Sequence, residues 1–76
     1  MNTETRFQEC LNRIGSNIQR LRHEKQITRD ALASQLPFSA ANDLKEYEEG
    51  TREMGVFTLI RIAEILGVEP ERLLGG

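Results

Sequence analysis

The chain has no tryptophan, one cysteine, one histidine and two prolines among its 76 residues. One thiol, Cys10, cannot close an internal disulfide, which fits a reducing, intracellular and cytoplasmic setting. One histidine and one cysteine do not make a zinc site, so no metal is expected. No apolar run approaches the roughly 18 residues of a membrane span, and the opening MNTETRFQEC is polar, without a secretory h-region. Alternating β-branched runs and Asn-Gly turns are missing, so no strand is expected. Nucleophile elbows, phosphate loops and metal-binding spacings are missing too. The expectation is therefore a non-enzyme with no cofactor and no catalytic residue.

An excess of positive charge is also lacking. The formal net charge is −2, which argues against strong unspecific binding to nucleic acid through overall charge. The charge is uneven, however: residues 1–36 carry a net +2 and residues 37–76 a net −4. An anionic partner should meet the first half, or a local patch.

What the sequence does contain is helical periodicity. Phe7, Leu11, Ile14, Ile18 and Leu21 recur at spacings of four and three, one stripe of a helix over about 3–25. Cys10 lies beside that stripe and is expected to pack in it. Gly15, mid-helix, marks either a close backbone approach or the true start of the helix. A second helix begins at Thr28, a good N-cap, with Asp30 in its first turn. Ala31, Leu32, Ala33 and Leu36 form its packing face, and Pro37 ends it. Phe38 and Ser39 make a short connection, Ser39 capping a third helix over about 40–49, which Leu44 and Tyr47 anchor. Gly50 stops this helix. The fourth helix, over about 56–66, has eight apolar residues in eleven, so it is central or covered on a second side. Gly67 ends it, and Pro70 opens a last short helix carrying Leu73 and Leu74.

Five helices, the second and third joined by a tight turn, make one all-α domain over 1–76, with an N-terminal extension (1–12) on the first helix and a helix-turn-helix at 28–49. The strings IGSNIQRLRHEKQITRDALASQL, LKEYEEGTR and LIRIAEILGVEPERLL resemble the phage-repressor and Cro type of helix-turn-helix protein, the xenobiotic-response-element family. The resemblance runs from Ile14 to Leu74 and implies a five-helix, lambda-repressor-like fold. Five features depart from the pattern: Gln26 stands where a glycine usually ends the first helix, Arg29 where glutamine is frequent, Pro37-Phe38-Ser39 in place of a Gly-Val-Ser-like turn, one extra residue between Leu32 and Leu44, and Met54 where a proline usually follows the third helix.

The resemblance implies that the third helix enters the major groove of double-stranded DNA. The matching positions are Ala41, Asn42 and Glu46, with Lys45 nearby. Asn42 suits adenine, Ala41 a thymine methyl and Glu46 cytosine N4; the bland alternative is a solvated face. Thr28, Arg29, Thr51 and Arg52 are candidates for phosphate contact, which sets register rather than sequence. Against this, residues 39–53 carry a net −3. One of those acids, Glu48, matches the family glutamate that pairs with an arginine on the first helix, here Arg22. Phe57 and Ile60 form a second apolar patch on the fourth helix, either a dimer surface or a seat for the extension, with Phe7 as filler. His23 is expected to be exposed and Tyr47 to be core. The leading expectation is a sequence-specific regulator, a repressor acting as a homodimer on a near-palindromic DNA site. The alternative is a protein-interaction module on the same fold, anti-repressor or antitoxin-like.

Overall fold

In the computed structural model, residues 3–75 are described; positions 1, 2 and 76, the ends of the expected 1–76 domain, lie outside them. Five helices follow in order: α1 (Thr3–Glu24), α2 (Arg29–Ala33), α3 (Phe38–Glu49), α4 (Val56–Leu66) and α5 (Glu71–Leu74). No strand occurs among the described residues. The all-α, five-helix architecture with an extended first helix is thus the observed one. At about 1.5 Å per residue, the 22 residues of α1 account for most of the molecule's 36 Å long axis.

The core is aliphatic. Ile18 and Leu21 of α1 meet Leu32, Leu36, Leu44, Tyr47, Leu59, Ile62, Leu66 and Leu73 from the other elements. Three helices end alike. In α1, α3 and α4 the residue after the last turn adopts a left-handed conformation: Gln26, Gly50 and Gly67. Each time the next amide reaches back five residues, Ile27 to the Arg22 carbonyl, Thr51 to Glu46 and Val68 to Ala63. This is the Schellman closure, which satisfies carbonyls the helix leaves open.

Gly15 marks a close approach. A Cβ there would stand 2.5 Å from the Glu48 carbonyl oxygen and 2.6 Å from that of Tyr47. The first helix therefore crosses the end of α3 nearly backbone to backbone. Gln19 donates to the Glu48 carbonyl and Gln8 to that of Gly50, each at 2.8 Å. These amides cap α3 from outside. At the other side, buried Asn17 donates to the Leu73 and Gly75 carbonyls and fastens α5 to α1.

Several expectations need correction. Helix α3 begins at Phe38, with Pro37 as its N-cap residue, so Phe38 and Ser39 are its first turn rather than a connection. Proline fixes φ where a helix can start; it does not end α2, which closes at Ala33 and passes through tight turns at residues 34–36 before Pro37. Cys10 is exposed, because residues 3–10 are all exposed and the stripe beside it is only half-buried at Leu11 and Ile14 and fully buried from Ile18 onward. Ala31 is exposed as well; Leu32 and Leu36 are buried, and Ala33, half-buried, packs against the core beside them. The extension does not cover α4: Phe7 is 47% exposed and Phe57 86%. His23 is exposed and Tyr47 buried, as expected.

Candidate nucleic-acid interface

Helix α3 has two unlike faces. Ala40, Leu44, Tyr47 and Glu48 are buried; Phe38, Ser39, Asn42, Lys45 and Glu49 are exposed. Residues 38, 42, 45 and 49 follow a four-three-four spacing, one outward stripe. Asn42 and Lys45 lie on it, and neither has a side-chain partner among the described residues. Ala41, half-buried, flanks the stripe and packs against the core.

The inward face is set by charge as well as by packing. Glu48 has a fully buried side chain and accepts from Arg22 in a two-pronged pair, Nε to Oε2 at 2.9 Å and Nη2 to Oε1 at 3.1 Å. The remaining Arg22 nitrogen donates to the Ile27 carbonyl at 3.0 Å. Arg29 adds a third cationic bond, its Nε 3.1 Å from Glu48 Oε1. One carboxylate thus joins the end of α1, the start of α2 and the end of α3. Such forks restrict orientation as well as distance, so they set the angle of the helix-turn-helix on α1. The sequence carries no signal for Arg29's part, since nineteen residues separate it from Glu48 and the contact exists only in the folded chain.

The other proposed phosphate contacts also have internal work. The Thr28 hydroxyl accepts from the Ala31 amide at 3.0 Å and caps α2. The Thr51 hydroxyl donates to the Glu46 carbonyl at 3.3 Å. Arg52 pairs with Glu46 and lies 3.5 Å from Asp43. The Glu46 hydrogen bond, then the Asp43 charge, raise the Arg52 guanidinium above its ordinary pKa. Glu46 is therefore no bare acceptor. Burial, then the Asp43 charge, push the Tyr47 phenol upward too.

These pairings change the electrostatic picture. Arg22 and Arg29 on Glu48 bring the local balance from −3 to −1. Arg29 and Arg52 use only Nε in these bonds, and their side chains are 41% and 48% exposed. Their terminal nitrogens remain open to an outside acceptor. Arg29 also lines an open groove, with Arg22, His23, Gln26, Ile27 and Thr28.

A family model described as a helix-turn-helix domain matches residues 15–76. The chain belongs to the helix-turn-helix family. The match begins at Gly15, where α1 reaches α3, and leaves the exposed extension outside it. Membership makes this helix-turn-helix chain a DNA-binding regulator in the broad sense of its family. No curated protein and no solved structure matches it. No described helix is long and apolar enough to cross a membrane.

Proposed function

We propose that this helix-turn-helix chain is a sequence-specific transcriptional repressor of the phage-repressor and Cro type, acting as a homodimer. The observation that carries this reading is the outward stripe of α3. Asn42 and Lys45 stand exposed and unpartnered on a helix whose back is fixed by the Arg22–Glu48–Arg29 junction. A base reader needs that combination, because groups that discriminate bases work only from a fixed register. Asn42 would bond adenine, and the terminal nitrogens of Arg29 and Arg52 would meet phosphates. The bare patch of Val56, Phe57 and Ile60 is the proposed dimer surface, and two α3 helices would then lie about 34 Å apart on a near-palindromic site. No catalytic step, metal or cofactor belongs to this proposal.

The test is selection of duplexes from a random pool at low salt, followed by affinity measured against salt concentration. A DNA reader loses affinity as a power of salt, and Arg52→Ala, which removes a proposed phosphate contact, should reduce that power by about one. Sedimentation of the chain and of Phe57→Asp should give a dimer and a monomer. A flat salt response with no selected sequence would replace this reading by the protein-interaction module.

A further inference from the structure

Phe38 is the one apolar side chain on the outward stripe of α3, and the proposed function leaves it unused. It is 83% exposed, while its neighbours Leu36 and Ala40 are buried at 8% and 4%. Burying a phenyl ring is worth about 1.5–3 kcal/mol, yet the fold turns this one outward. Pro37, with φ −56°, makes Phe38 the first residue of the helix. A lone exposed aromatic is ordinary. This one shares a face with Asn42 and Lys45, at the end of α3 that leads into a groove.

A phenyl ring has nothing to offer the donors and acceptors of base edges. The major groove presents one apolar group, the C5-methyl of thymine, and phenylalanine is among the side chains that contact it. We infer that Phe38 is a specificity-determining residue that packs on a thymine methyl. The inference rests on the DNA-reading proposal and adds a second base to it. Phe38 and Asn42 are separated by about 6 Å of helix rise, and base pairs on one strand by about 3.4 Å. The thymine therefore lies within about two base pairs of the adenine bonded by Asn42.

The experiment uses the duplex selected by the wild-type chain, with each thymine replaced in turn by deoxyuridine, which lacks only the methyl. Wild type should lose about fourfold in affinity at one thymine near the Asn42 position, the worth of one methyl-sized group. Phe38→Ala should bind the thymine duplex more weakly and be indifferent to that replacement. Its thermal unfolding should match wild type, since the ring touches little. A selected duplex on which wild type and Phe38→Ala respond alike to every replacement overturns the inference and leaves DNA reading intact. Failure of the wild type to select any duplex overturns both.

Discussion

The two faces of α3 are built by opposite rules. On the inner face the buried charge and the helix end are paired: Glu48 has three hydrogen bonds from two arginines, and the Glu48 and Gly50 carbonyls accept from Gln19 and Gln8. On the outer face Phe38, Asn42 and Lys45 are exposed, and the last two lack a side-chain partner among the described residues. Polar groups on the inner face had to be satisfied, because a buried charge without its partner costs several kcal/mol. Residues on the outer face can change with little effect on folding. Inner substitutions should therefore register in stability and outer ones in binding.

The largest expected effect is on the inner face. Glu48→Ala leaves Arg22 buried with no counter-charge, and removal of one partner from such a pair costs about 3–5 kcal/mol. A domain of this length has only about 4–11 kcal/mol in total, so urea unfolding should shift to far lower midpoints or disappear. A midpoint within a few tenths molar of wild type would show that the junction does not hold the helices together.

Gly15→Ala comes next. The added methyl meets two backbone oxygens that cannot rotate aside. Overpacking costs about 1–3 kcal/mol, here at the upper end, and alanine's helix propensity returns about 1 kcal/mol. A net loss of about 2 kcal/mol should appear in urea unfolding. Ser16→Ala, one position on and exposed, should instead stabilise by a few tenths. Equal behaviour of the two variants would mean that α1 does not approach α3 as closely as described.

Asn42→Ala probes the outer face. Unfolding should stay unchanged, while discrimination at one base pair of a selected duplex falls about tenfold, or about 1.4 kcal/mol. If stability drops instead, the contrast between the faces is mistaken.

How far these faces were legible in the sequence differs between them. The buried stripe of α1 beyond Ile14, the glycine stops at Gly50 and Gly67, and the Thr28 cap follow from spacing and residue type, because local rules determine them. Pro37 reads as a stop signal by residue type, yet α2 already ends at Ala33 and the proline instead opens α3. Cys10 was misplaced because periodicity predicts which side of a helix is apolar, not how far a neighbour extends along it. Arg29 and Arg52 looked like surface cations, and their carboxylate partners come from packing that spacing does not encode.

The smallest effect concerns the end of α1, the one of the three matching helix stops without a glycine. Gln26 adopts φ 58°, a region that costs a residue with a Cβ about 1–2 kcal/mol. Gln26→Gly relieves that strain but adds freedom to the unfolded chain, worth about 0.4–1 kcal/mol in the other direction. The net stabilisation should lie between about zero and 1.6 kcal/mol, visible as a small rise in thermal midpoint. Because Gln26 lines the groove beside Arg29, the same variant sharpens the division of labour. A gain in stability with unaltered duplex affinity makes Gln26 an inherited strain. A gain in stability accompanied by weaker binding means that the glutamine amide, though off the outer face of α3, belongs to the DNA-facing surface.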